Sequence, residues 1–185
     1  MRLFLFTAAL VAATVLTGCD KLTEISVSEE TINSAVAENI HLNKQIGMDG
    51  VADADFTLEK LLTEIGREEP GKVKLTAIGS LKLVSLFGSR DFTISMSLRA
   101  APYFDATSGS IYMRDIEITN YTLDPDKWDT LISALIPYLN HTLSTFFNIT
   151  PVYVLNGDNT AEAAAKKFAK GIEIRPGRIV IPLTE

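Results

Sequence analysis

Between residues 72 and 99 the chain alternates apolar and polar side chains with a period of two. Val73, Leu75, Ala77, Leu81 and Leu83 stand between Lys72, Lys74, Thr76, Ser80 and Lys82. Phe92, Ile94, Met96 and Leu98 stand in the same way between Thr93, Ser95, Ser97 and Arg99. Successive side chains of a strand point to opposite faces, so each stretch predicts a strand with one apolar and one polar side. Segments 51–65 and 111–123 read as strands too, less regularly. Turn residues at Glu69-Pro70-Gly71, Gly88-Ser89-Arg90-Asp91 and Ser108-Gly109-Ser110 separate them. The short spacing predicts an antiparallel meander. Strands longer than the usual five or six residues predict strong twist and a curled sheet.

The period changes to 3.6 on either side of this region. Ser28 is placed to cap a helix whose first turn carries Glu29 and Glu30. Ile32, Ala35, Val36 and Ile40 form its apolar face, and Gly47 and Gly50 mark the turn out of it. Farther on, Asp124 suits an N-cap and Pro125 a first helical position. Trp128, Leu131, Ile132, Leu135, Ile136, Leu139, Leu143, Phe146 and Phe147 then share one face, opposite Thr130, Ser133, Pro137, Asn140, His141 and Ser144. A helix of about 22 residues is about 33 Å long, and Pro137 should bend it. The stripe is wider than a surface helix needs, so the apolar side of the sheet has to wrap it. A strand near 151–155, an Ala-rich helix over 160–170 closed by Gly171, and a hairpin complete the chain. That hairpin pairs Ile172-Glu173-Ile174 with Ile179-Val180-Ile181 across Pro176-Gly177. The expected fold is α+β: a long kinked helix clasped by a strongly curled antiparallel sheet, plus a shorter N-terminal helix.

The first nineteen residues have a different logic. Arg2 precedes a mostly apolar run from Leu3 to Leu16, which ends in Leu16-Thr17-Gly18-Cys19. A charged start, a short apolar stretch and small residues make a secretion signal. The run is too short for a membrane span, which needs about 20 apolar residues, and no later segment reaches such a length. The motif resembles the signals of bacterial lipoproteins. That resemblance implies removal of residues 1–18 and a diacylglyceryl thioether plus an N-acyl chain such as palmitate on Cys19. Residues 19–27 then form a lipidated tether and 28–185 a single domain. Asp20 resembles an inner-membrane retention signal, while Lys21 leaves the outer membrane open. Cys19 is the only cysteine, so the fold stands without a disulfide.

The chain carries a net charge of −6, and losing Arg2 makes it more acidic. With no basic cluster it lacks the footprint of a nucleic-acid binder. The same charge disfavours a polybasic grip on anionic lipid. Membrane contact is expected from the anchor alone, with the folded body held off the surface.

Along most of its length the sequence resembles the YceB-like family of uncharacterised enterobacterial-type lipoproteins. The residues carrying this are Ile65-Gly66-Arg67-Glu68-Glu69-Pro70, Ser85-Leu86-Phe87-Gly88-Ser89 and Pro137-Tyr138-Leu139-Asn140. Ala169-Lys170-Gly171-Ile172-Glu173 and Ile179-Val180-Ile181-Pro182 match as well. The resemblance implies a fold similar to one half of the tubular lipid-binding (BPI-like) proteins. It lends no catalytic or binding residues.

Catalytic chemistry finds little footing. His41 and His141 are the two histidines, and neither has a second ligand at metal-site spacing. No nucleophile elbow, zincin helix or phosphate-cradling loop is present, and Glu68-Glu69 reads as a solvated turn. No enzymatic activity, metal or cofactor is expected. Two functions remain. In the first, the clasp holds an acyl chain or phospholipid against Phe92, Met96, Leu98, Trp128, Leu131, Leu135, Leu139, Phe146 and Phe147. In the second, the protein is a non-catalytic accessory subunit of an envelope complex, recognised through Tyr103, Phe104, Tyr112 and Tyr121.

Overall fold

A computed structural model describes residues 23–48, 52–85, 88–124 and 129–183. The chain runs β1 (Glu24–Ser28), α1 (Glu29–Asn39), β2 (Asn43–Met48), β3 (Ala52–Ile65), β4 (Val73–Ser85), β5 (Gly88–Asp105) and β6 (Ser110–Asp124). It continues through α2 (Asp129–Ile149), β7 (Tyr153–Val154), α3 (Thr160–Phe168), β8 (Glu173–Arg175) and β9 (Arg178–Pro182). Six strands form one antiparallel sheet in the order β2-β3-β4-β5-β6-β7, and a second sheet has the order β1-β9-β8. The architecture is mixed α+β, with a large antiparallel meander as expected.

The alternation read from β4 and β5 places Val73, Leu75, Ala77, Leu81, Leu83, Phe92, Ile94, Met96 and Leu98 in the core. Helix α2 lays Ile132, Leu135, Leu139, Leu143 and Phe147 against the sheet, all fully buried. It is helical on both sides of Pro137. It packs on β6 and also on β2, strands near opposite ends of the sheet order. Ser28 caps α1 by accepting from the Thr31 N–H at 3.1 Å, and Ile32 and Val36 go inward. Gly79 of β4 lies close under β3: a Cβ there would stand 2.5 Å from the Thr57 carbonyl and 2.7 Å from the Phe56 ring.

Four local expectations need correction. The tether expected over 19–27 gives way at Glu24 to β1, because Ile25 and Val27 alternate with Glu24, Ser26 and Ser28 and pair with β9. Gly47 is not a turn residue but lies in β2 opposite Asp53. Gly88 to Asp91 already belong to β5, since that strand extends as far as its partner β4 does. Asp124, expected as an N-cap, is the last residue of β6, opposite Thr93. Pro125 and Gly50 lie outside the described residues.

A carboxylate ties α1 to the end of β3. Glu29 accepts from the Ile65 N–H at 2.8 Å and from Arg67 Nε at 3.0 Å and Nη2 at 3.1 Å, while Gly177 donates to the Ile65 carbonyl at 2.8 Å. The Arg67 hydrogen bond, with the Ile65 N–H adding to it, holds the Glu29 carboxyl below its ordinary value of 4.5. A carboxyl lowered in the folded state stabilises fully above its unfolded value, and that contribution fades as pH falls through the folded one. Glu29→Gln should therefore cost about 1 kcal/mol at neutral pH and flatten the acid limb of stability. Thermal unfolding scans from about pH 7 to about pH 3 check this; an unchanged acid limb in the variant would remove Glu29 from the account.

Candidate functional site

The residues expected to line a ligand are brought together in one interior. Phe92, Met96 and Leu98 project from one face of β5, and Leu135, Leu139 and Phe147 from α2; all six are buried. Leu131 and Phe146 are half-buried and packed against the same core, and the Phe146 and Phe147 rings meet edge-on with centroids 5.1 Å apart. Trp128, Cys19 and Asp20 lie outside the described residues.

The position of α2 over this interior is set by a residue that the helical pattern assigns to the solvated side. Asn140 accepts from the Ile118 N–H at 2.8 Å and donates through Nδ2 to the Ile116 carbonyl at 3.2 Å. Those two backbone groups are presented outward by β6, whose register slips twice there: between Ser97 and Leu98, and between Arg99 and Ala101 on the partner strand. The second slip leaves Asp115 at φ 52°, a left-handed conformation that Asp tolerates better than most side chains. Asn140 thus supplies the donor and acceptor that another strand would have offered. The one hint in the sequence is its place directly after Leu139, within Pro137-Tyr138-Leu139-Asn140. Helix α1 does the same at the other end of the sheet. Asn33 accepts from the Thr63 N–H at 2.7 Å and donates to the Thr63 carbonyl at 3.1 Å.

Among the described residues no hydrogen bond ties α2 to β2, so that seam is closed by side-chain packing. The interior therefore has one side latched by an amide and another held by contact alone.

Elsewhere the surface is occupied by ion pairs. A cleft of about 540 Å³ lies over the outward ends of β3 to β6, lined by Glu64, Glu68, Glu69, Lys74 and Arg99 among others. Lys74 bridges Glu64 at 3.3 Å and Glu68 at 2.6 Å, and Arg99 bridges Glu69 at 3.4 Å and Glu117 at 2.5 Å. Glu68 and Glu69 are thus paired, not simply solvated. Exposed pairs of this kind add little stability. His141 is exposed, as its polar helix face implies. No group of three His, Cys, Asp or Glu among the described residues could hold a metal.

The aromatic side chains considered as anchors divide. Phe104 is buried and Tyr121 packs on the core. Tyr103 and Tyr112 pair across β5 and β6, and the Arg114 guanidinium lies 3.3 Å above the Tyr103 ring. Tyr153, in β7, donates to Glu162 of α3 at 3.1 Å. Burial first and the neighbouring carboxylate second push its phenol up to about 12, which makes it a strut and not an acid.

The class defined by this geometry is an α+β domain whose apolar interior lies between one antiparallel sheet and one helix. The chain belongs to the family described as "Protein of unknown function (DUF1439)", whose model matches residues 27–178. It is 46% identical to "Uncharacterized lipoprotein YceB" of Escherichia coli (strain K12) over 186 residues, which is all of both chains. The protein of the same name from Salmonella typhimurium is 46% identical over 185 residues, again all of both. A crystal structure of lipopolysaccharide binding protein is similar at TM-score 0.30 and 8% identity, covering 88% of this chain and 50% of that one.

If Asn140 holds α2 to β6, Asn140→Ala should cost about 2 kcal/mol, because it strands a backbone donor and an acceptor. The Ile118 amide should also exchange faster with solvent. Asn148→Ala, at an exposed position of the same helix, should change neither. Chemical denaturation with hydrogen exchange compares the two, and equal effects would refute the latch.

Proposed function

We propose that this protein is a lipid-anchored component of the bacterial cell envelope, facing the periplasm, that holds a hydrophobic ligand between α2 and its sheet. The ligand class is an acyl chain or phospholipid. The finer architecture in this reading is a sheet curled about α2, with the helix bent at Pro137. The observation that carries the proposal is the seating of α2 against both β6 and β2, with hydrogen bonds, among the described residues, to β6 alone. Moving the helix off β2 opens the interior without breaking a backbone ladder. The surface uncovered is aliphatic, Met and Phe, which suits hydrocarbon and offers nothing to a polar substrate.

The Leu16-Thr17-Gly18-Cys19 motif and the full-length match to proteins named lipoproteins support the anchor. Among the described residues no helix is long and apolar enough to cross a membrane. Attachment then rests on the acyl groups of Cys19, since several chains hold where one alone is marginal. Asp20 favours the inner membrane. No residue arrangement described above points to catalysis.

Native mass spectrometry with organic extraction tests the ligand, on the mature chain purified without detergent. A lipid near one equivalent, or uptake of offered palmitate or phosphatidylglycerol, is the expected result. A clean apo mass with no uptake would refute lipid holding. It would favour the accessory-subunit reading, for which Ile149 (74% exposed) and Val154 (50% exposed) beside the groove of Ala35, Asn39 and Tyr153 are the supporting observation. Leu135→Ala should cost about 2–5 kcal/mol through the cavity it leaves and change ligand content; a folded variant with unaltered content would place the ligand elsewhere. Cys19→Ala should yield unprocessed precursor or soluble protein, and normal membrane partition of that variant would remove the anchor.

A further inference from the structure

Strand β2 ends the order of the six-stranded sheet on the side where α2 is held by packing, and its pattern contains one break. Leu42, just before the strand, and Ile46 within it are buried, while Asn43 and Gln45 between them are exposed. A period of two assigns position 44 to the buried set, yet it is Lys44 and it is exposed. The pairing with β3 agrees. Lys44 stands opposite Phe56, as Ile46 stands opposite Ala54, and Phe56 and Ala54 are both in the core. Directly opposed residues project from one face of a sheet, so Lys44 rises from the apolar face. Asn43 and Gln45, opposite Thr57 and Asp55, mark the polar one.

Helix α2 packs on this strand, while Asn140 binds its other flank to β6. At 3.6 residues per turn, Leu131 and Thr142 lie on the flank away from Asn140. Both are half-buried, whereas Leu135, Leu139 and Leu143 are fully buried. The seam therefore has an apolar floor, an incompletely covered rim, and one cation on the apolar side of its strand. Among the described residues Lys44 makes no ion pair, in contrast to Lys74, which bridges Glu64 and Glu68.

We propose that Lys44 binds the head of the ligand, an anionic carboxylate or phosphate whose hydrocarbon lies under α2. The inference rests on the lipid-holding reading above and narrows it to an anionic amphiphile. An acyl chain in the interior satisfies its tail there, but its polar head has to stop at the rim. An ammonium group on the apolar side of that rim offers the head a charge-assisted hydrogen bond. Its four-carbon stem lets it reach while it stays in contact with water.

Native mass spectrometry on the mature chain, purified without detergent, reads which of two lipids offered at equal concentration is retained. Palmitate against hexadecanol varies the head on one tail, and phosphatidylglycerol against diacylglycerol does the same for a phospholipid. The wild-type chain should retain the anionic member of at least one pair about tenfold more than the neutral one. The pair that shows this separates a fatty acid from a phospholipid. The preference should disappear in Lys44→Gln and persist in Lys44→Arg. It should persist also in Lys82→Gln, whose lysine stands on the polar face opposite Asp55 and Asp91. Equal retention within both pairs by the wild-type chain, or a preference unchanged in Lys44→Gln, would overturn the proposal. So would a Lys44→Gln chain that self-associates with its preference intact, which makes the lysine a guard of the sheet edge. Retention of no lipid at all would sink the lipid-holding reading, whereas lipid held without regard to its head would sink only the role of Lys44.

Discussion

A six-stranded sheet that does not close on itself has two edges whose peptide groups need partners, and here side-chain amides provide some of them. β2 covers β3 only as far as Thr57, and β7 covers β6 only at Ser110 and Ile111. Beyond those points Asn33 reaches Thr63 and Asn140 reaches Ile116 and Ile118. A carboxamide is a peptide group in miniature, with one acceptor and one donor side by side. It can stand in for the next strand where a carboxylate would lack the donor and a hydroxyl the geometry. Unpaired edges invite association with other chains, and covering them with helices removes that hazard. It also ties each helix to one end of the sheet.

The backbone of β6 is shaped to meet this demand. A regular strand would turn alternate residues toward β5 in fixed order; the two register slips change which groups face outward near Ile116 and Ile118. One slip carries a residue with positive φ, and its occupant is Asp115, among the side chains that accept such a conformation most readily. The strain is small, and the bonds to Asn140 offset it. Bulge and latch are therefore one device.

This explains what could be read from the sequence and what could not. β4 and β5 were legible because many consecutive positions alternate, and α1 because Ser28, Glu29 and the Ile32 to Val36 spacing agree with one another. β1 and β2 were not, because five or six residues including Gly47, Lys44 and Gln45 give too little pattern, and their strand state comes from partners far along the chain. The apolar interior was legible as a set of residues, since burial follows periodicity. Its latch was hidden: an asparagine on a helix reads as solvated, and its partner is backbone, which carries no residue-specific signal.

The same accounting says where the domain can yield. Separating α1 from β3 breaks the Asn33 pair and the Glu29 bonds to the Ile65 N–H and Arg67. Separating α2 from β6 breaks the Asn140 pair and uncovers a bulged backbone. Among the described residues, separating α2 from β2 breaks only van der Waals and hydrophobic contact, and hydrocarbon entering the gap would restore that kind of contact without need of a polar partner. On the proposed reading, opening is directional: α2 pivots on its β6 side, while β1 stays paired along its length with β9. On the proposed reading, a ligand can enter while the attachment to the membrane stays mechanically separate from the moving seam.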